Sequence, residues 1–361
     1  MWIYDYQTWP EFTWDADRLA SRLADIRYRQ GRLLGRMEGL GFEFKQEASL
    51  SILTEDVVKS SAIEGAILEP EEVRSSIARR LGLDVAGIVP ANRDVEGIVE
   101  MMIDATQSFS KPLTKERLFD WHAALFPTGR SGMHRIAVGC WRGVDADPMR
   151  VVSGPVGKEK VHFEAPCADR LEKEMSQFLS WFKQASKIDP VLIAGVAHLW
   201  FVTIHPFEDG NGRIARAIAD MALARADGIS DRFYSMSTQI ALERKNYYNQ
   251  LEKQQLSTLE ITDWLEWFLD CLGRAISGAE EMLSGVLHKT QFWNSVNKQP
   301  INDRQRLVIN RMLESDFKGH INTLKYAKLT KCSTDTALRD IQDLKSKGID
   351  RKSTRLNSSH L

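Results

Sequence analysis

Between Ile204 and Arg216 the chain reads His205-Pro206-Phe207-Glu208-Asp209-Gly210-Asn211-Gly212-Arg213, and few backbones satisfy that order. Gly210 and Gly212 remove the Cβ atoms that keep a ligand from the main chain, and Asn211 between them adds an amide donor. From Arg213 to Ala226, Ile214, Ile218, Met221 and Leu223 recur at the spacing of an amphipathic helix. A helix that opens on glycines presents unpaired N–H groups and the positive end of its dipole, so phosphate is the expected guest. Arg213 and Arg216, three apart, share one face and reach the same guest. His205 is a proton acceptor near neutral pH, and Asp209 is a hard oxygen suited to Mg²⁺, which is held by one or two carboxylates plus substrate phosphates.

The run Val191 to Ile204 is too short, and too polar at His198 and Thr203, for a membrane span; it reads as a buried helix that delivers His205, with His198 a structural residue. No Gly-x-x-x-x-Gly-Lys-Ser/Thr string occurs, which excludes a P-loop. The glycine-rich lid, strand lysine and Asp-Phe-Gly triplet of protein kinases are missing as a set.

The string resembles the signature of the Fic family, His-Pro-Phe-x-Asp/Glu-Gly-Asn-Gly-Arg-x-x-Arg, with every defining position met. The resemblance implies a mainly α protein: a Fic-type helical core with a β-hairpin flap. It also implies a protein adenylyltransferase, moving AMP from ATP to a Ser, Thr or Tyr hydroxyl of a target protein or of the chain itself. His205 would deprotonate that hydroxyl, and Asp209 would hold Mg²⁺ on the α- and β-phosphates. The Gly210 to Gly212 backbone and Asn211 would bind phosphate oxygens, with Arg213 and Arg216 on the β- and γ-phosphates.

Met149 to Phe163 places β-branched residues around a Gly-Pro-rich centre and reads as a hairpin, whose strand edge can hold an extended peptide. An ordinary surface hairpin would look the same; in the family a flap here docks the target, and Ser153 and Gly154 would border the nucleotide. Gly139-Cys140-Trp141-Arg142 also resembles the family core, with Trp141 read as packing. Tyr247, Tyr248 and, two helical turns on, Gln255 are adenine-contact candidates by the same resemblance, although an amphipathic core stripe would place tyrosines there too.

Ser60-Ser61-Ala62-Ile63-Glu64-Gly65 matches the family's inhibitory pattern Ser/Thr-x-x-x-Glu-Gly/Asn through Ser60, Glu64 and Gly65. Alone the string is a helix C-terminal cap. In company with the signature it implies that Glu64 pairs with Arg216 and denies it to the γ-phosphate. Some family members use this glutamate to position water for removing AMP, so the reverse reaction stays open.

Lysine plus arginine number 48 against 49 aspartate plus glutamate, so no global field draws the chain to nucleic acid or membrane. The first ten residues lack a basic segment followed by an apolar one and are not expected to be a secretion signal. Four scattered cysteines form neither a metal spacing nor a disulfide framework, which favours a reducing cytoplasm.

Helical spacing covers Asp15 to Arg36, Asn92 to Phe126, Cys167 to Ala185 and Thr262 to Leu283, and the aromatic opening with its following helix resembles an N-terminal module that accompanies some Fic proteins. The expected organisation is a helical module with the inhibitory helix over 1–85, a catalytic core over 86–285, a linker over 286–300 and a C-terminal (truncated) winged helix-turn-helix over 301–350. In the last unit Asn302 caps a helix through Met312, a second covers Thr323 to Leu329, and Ser333 starts a third ending at Gly348. On that third helix Asp335, Asp340 and Asp343 offset Arg339, Lys345 and Lys347, so a protein-contact or homodimer role is expected ahead of DNA. A nucleotide-sensing transcriptional regulator acting through these helices is the alternative function. Residues 351–361 match the conceptual translation of a common sequencing adapter and are expected to be an artefact, a point that resequencing the 3′ end of the gene decides.

Overall fold

The computed structural model describes residues 1–83, 89–143, 149–154, 158, 160–185, 187–296, 300–313, 317 and 320–349, and the adapter-like tail lies outside them. By contacts the chain divides into two units, Met1–Ala279 and Glu280–Leu361. Residues 1–83 pack into the same unit as the core.

In chain order the first unit holds helices α1 (Ala16–Glu38), α2 (Phe42–Ile63), α3 (Pro70–Leu81), α4 (Arg93–Gln107) and α5 (Lys115–Leu125). Two short hairpins follow: β1 (Arg130–Ser131) with β2 (His134–Arg135), and β3 (Arg150–Ser153) with β4 (Lys160–Glu164). Then come α6 (Leu171–Gln184), α7 (Pro190–Ile204), α8 (Asn211–Asp227), α9 (Met236–Leu242), α10 (Arg244–Gln255) and α11 (Thr262–Val296).

The centre is the α7–α8 pair. α7 is apolar on every side and therefore buried on every side, the only stable place for such a helix in water. It starts where Asp189 accepts from Val191 N–H at 2.8 Å with Pro190 at the first helical position. Inside it His198 is structural, as its sequence context predicts: Nε2 meets Tyr247 Oη at 2.9 Å, and burial pushes its pKa down to about 3.

The flap is the expected antiparallel hairpin, with an irregularity between Val151 and Val152; residues 155–157 and 159 of its tip lie outside the described ones. Its root is held by the chain start. Trp2 and Tyr4 pack edge-on against Phe163, and Tyr4 Oη donates to the Glu164 carbonyl at 2.7 Å.

The expected linker over 286–300 is corrected: α11 runs unbroken to Val296, because Phe292 and Val296 are core residues of the second unit, packed with Ile309 and Leu344. That unit adds α12 (Asp303–Met312), α13 (Thr323–Thr330) and α14 (Thr334–Ser346); Asn302 and Ser333 cap the first and third as expected, and Asn322 caps the second. Among its described residues there are no strands. A second correction concerns charge. Asp343 pairs with Lys347 as expected and also accepts from Gln305, but Asp340 is buried and accepts from Asn302, Arg304 and Tyr326, so it is tied to other partners than Arg339 and Lys345.

Candidate active site

His205 ends α7 in the left-handed conformation, φ 52° and ψ 57°. Lys331 is the one other non-glycine residue with positive φ among those described. Holding a histidine there costs of order 1 kcal/mol or more, and such strain gathers at functional sites. The turn is fixed from outside by Arg142, whose Nε donates to the His205 carbonyl at 2.9 Å while its N–H donates to Pro206 at 2.9 Å. Nδ1 of His205 lies 3.1 Å from the Val202 carbonyl, which can only accept, so Nδ1 carries the proton and Nε2 the lone pair. Burial, with Arg142 adding to it, pushes the ring's pKa down, so the imidazole is neutral and ready to take a proton.

The loop from Pro206 to Gly210 is braced by its own residues. Phe207 is fully buried and stacks on His122, ring centroids 4.1 Å apart. Asn211 Nδ2 donates to the Phe207 carbonyl at 2.8 Å, and Asn211 Oδ1 accepts from Phe207 N–H at 3.0 Å. The side-chain amide thus closes the loop with its oxygen and one N–H, and Asn211 also lines the cavity. Gly210, at φ 81°, caps α8; a Cβ there would come within 2.9 Å of the Phe126 ring. Gly210→Ala should therefore combine backbone strain with overlap and cost about 1–3 kcal/mol, read as a fall in melting temperature. An unchanged melting temperature would mean the turn is softer than this geometry requires.

At the start of α8 the amide groups meet a carboxylate. Glu64 Oε1 stands so close to Gly212 that an added Cβ would lie 2.2 Å from it, and the same oxygen accepts from Arg216 Nη1 at 2.8 Å. Arg216 is 1% exposed; its Nε donates to Ser60 Oγ at 2.9 Å and its Nη2 to the Ser60 carbonyl at 2.8 Å. Ser60, Glu64 and Arg216 are thus together, as the resemblance implies. Gly65, at φ 85°, ends α2 where the cap was expected. Arg213 lies over the Phe126 ring at 5.0 Å, and its buried Nε has no hydrogen-bond partner among the described residues, which suits an anion yet to arrive.

Asp209 faces solvent with its side chain 43% exposed; Oδ1 accepts from Gly210 N–H at 2.5 Å and Oδ2 from Ser131 Oγ. No cluster of three metal-ligating side chains exists among the described residues, so a divalent ion here would have this one carboxylate and would need phosphate and water as its remaining ligands. That donor set fits Mg²⁺ bound with a nucleotide.

A cavity of about 740 Å³ joins these parts, lined by Glu64, His205, Asp209, the Gly210 to Gly212 backbone, Ser153 of the flap and α10. Tyr248 and Gln255 line it as expected; Tyr248 Oη reaches Ile63 O and Glu64 Oε2, both at 3.4 Å, and Gln255 reaches Thr203 Oγ1 at 3.4 Å. Tyr247 lines it as well, although it is 1% exposed and its hydroxyl is held by His198. Gly154, at φ 105°, follows β3 outside the cavity wall.

Sequence reasoning missed Arg142 as the support of the His205 turn, Arg244, whose Nε caps the end of α2 at the Ile63 carbonyl (2.7 Å), and His122. His122 accepts from Gly139 N–H on Nδ1 and donates to the Asp209 carbonyl from Nε2, each at 3.2 Å. Burial pushes its pKa down to about 4. The unfolded chain takes up this proton near pH 6.5 and the folded one does not, so stability is full above pH 6.5 and lost as pH falls toward 4, at about 1.4 kcal/mol per unit of difference. His198 acts in the same direction. Denaturant unfolding at pH 7 and pH 5 checks this, and equal stability at both would contradict the buried neutral rings.

Residues 112–223 match the model of the Fic/DOC family, and residues 2–83 match a domain of unknown function, DUF4172. Protein adenylyltransferase Fic of Nematostella vectensis is 32% identical over 115 residues, 31% of this chain and 25% of that protein. Protein adenylyltransferase fic-1 of Caenorhabditis elegans is 31% identical over 96 residues, 26% of this chain and 18% of that protein. The matched segment thus spans a quarter or less of the length of these relatives. In structure the chain is similar to a Fic family protein from Desulfovibrio desulfuricans G20 (TM-score 0.52, 20% identity, 90% of this chain and 89% of that one). It is also similar to a Fic domain containing signaling protein from Bacteroides thetaiotaomicron VPI-5482 (TM-score 0.53, 20% identity, 72% and 97%). At these identities the structures establish a shared fold. Over residues 112–223 the chain is thus similar to the Fic/DOC family.

Proposed function

We propose that the chain is a protein adenylyltransferase that moves AMP from ATP to a hydroxyl of a target protein or of itself, held slow by Glu64. One observation carries the reading: a neutral histidine with its lone pair on Nε2 shares a cavity with the amide-lined start of α8. His205 takes the proton of the incoming hydroxyl, and the Gly210 to Gly212 amides with Arg213 and a freed Arg216 bind the triphosphate. Mg²⁺, held by Asp209 and the phosphates, would supply charge neutralisation when bound.

Glu64 holds Arg216 and covers Gly212, so it stands in for the γ-phosphate and competes with the productive pose. Hydrolytic removal of AMP, with Glu64 directing a water onto the phosphodiester so that AMP leaves and the hydroxyl is restored, is a second reaction open to the same site. The flap edge is the docking place for the target segment. Free thiols at Cys140, Cys167, Cys271 and Cys332 suit a reducing cytoplasm, and no described helix is long and apolar enough to cross a membrane.

The test uses two labels. With α-labelled ATP and Mg²⁺ the protein should become radioactive; with γ-labelled ATP it should not, the label leaving in pyrophosphate. The opposite pattern would mean phosphoryl transfer and end this reading.

A second reading, a regulator acting on DNA through the C-terminal unit, gains from the revised charge count. With Asp340 buried and Asp343 bound, the exposed side chains of α13, α14 and their turn include Lys325, Lys328, Lys331, Arg339 and Lys345 against Asp335. Duplex binding that weakens steeply with salt would support it; no retention at low salt would discard it.

A further inference from the structure

Three side chains that the chemistry at His205 does not use form a hydrogen-bonded line from α10 to the flap. Glu252 meets His162 Nδ1 at 2.7 Å through Oε2 and Lys160 Nζ at 3.0 Å through Oε1. His162 Nε2 lies 2.6 Å from Ser153 Oγ. A carboxylate only accepts, so it fixes the neutral imidazole with its proton on Nδ1 and leaves Nε2 as acceptor. The contact to Ser153 is then one in which the serine hydroxyl donates. Nucleophile, base and orienting carboxylate in hydrogen-bonded sequence are the arrangement that activates a hydroxyl.

Position supplies the second half. Ser153 is an exposed residue at the end of β3, and Ser153, His162 and Glu252 all line the cavity that also contains His205, Asp209 and Gly212. A polarised hydroxyl in the wall of a nucleotide-transfer cavity is a resident acceptor. A plain tie between flap and α10 is made by Lys160 and His162 on Glu252, while the hairpin register, with Ser153 opposite Lys160, sets the serine hydroxyl at the far nitrogen of His162.

We propose that Ser153 is a self-modification site that takes AMP from ATP bound in this cavity, an inference that rests on the transferase reading above. Ser153 Oγ bonds to the α-phosphorus, the bond from that phosphorus to the bridging oxygen of the β-phosphate breaks, and pyrophosphate leaves with the electron pair. The hydroxyl proton passes to His162 Nε2, and the imidazolium stays paired with Glu252. The product is a phosphodiester on the flap.

The experiment incubates the full chain carrying Glu64→Gly with ATP and Mg²⁺, digests it and maps AMP by tandem mass spectrometry. Ser153 should carry AMP. Adding His162→Gln, which keeps hydrogen-bonding groups toward both neighbours but cannot take the proton, should lower the share of total AMP found on Ser153 by roughly 100-fold, the low end of what a positioned base supplies. AMP on other residues or on added proteins with Ser153 bare overturns this inference and leaves the transferase reading standing. An unchanged share at Ser153 in the His162→Gln variant overturns the role given to His162. No AMP anywhere overturns both readings.

Discussion

His205→Ala should abolish AMP transfer to an added target protein, with a loss of at least 10²-fold and as much as about 10⁴-fold, the range a positioned general base contributes. The ring's surroundings make it the proton acceptor: Val202 fixes the tautomer, burial keeps the ring neutral, and Arg142 pins the backbone that presents it. Nucleotide binding should survive, because the α8 amides and Arg213 are untouched. Transfer assays on His205→Ala beside a nucleotide titration separate the two effects. Retained transfer to the added target with unchanged binding would remove His205 from that chemistry.

Glu64→Gly should raise incorporation by roughly 10- to 100-fold, the size of an ordinary coupling between two ligands competing for one state. In the resting protein the Glu64 carboxylate holds Nη1 of a guanidinium that is 1% exposed and sits against the backbone of Gly212. Its removal leaves Arg216 with the two Ser60 oxygens and one side bare. A buried charge short of a partner destabilises the empty protein. Nucleotide restores that partner, so the variant should melt lower than the parent without ATP and gain more on adding it. Equal incorporation by both proteins, or no extra gain in melting temperature, would leave the Glu64–Arg216 contact without an inhibitory role.

The local part of the site was legible because it is written in consecutive residues. Glycines at a helix start and paired arginines on one face can each be read within a dozen positions, and α8 begins at Asn211, two residues before the expected Arg213, while the left-handed turn at His205 came only from the structure. The capped helices of the second unit were legible for the same reason: Asn302 and Ser333 accept from the amides three positions on. What escaped reading is carried by distant partners. His122 touches the Asp209 carbonyl across 87 positions, Arg142 reaches back from His205 across 63, and Arg244 caps α2 across 181. Spacing within one helix cannot announce such contacts. Asn211 shows the converse: its residue type suited a ligand, and only the fold revealed that its oxygen and one N–H close the loop on the Phe207 backbone. The linker failed because the polar stretch after Leu283 hides Phe292 and Val296, whose burial depends on α12 and α14.

The most direct test is a crystal structure of the Glu64→Gly chain with a non-hydrolysable ATP analogue and Mg²⁺. The triphosphate should lie on the Gly210 to Gly212 amides with Arg216 turned to its terminal phosphate and His205 Nε2 facing the α-phosphate. A nucleotide bound elsewhere, or an imidazole directed away from it, would contradict the account.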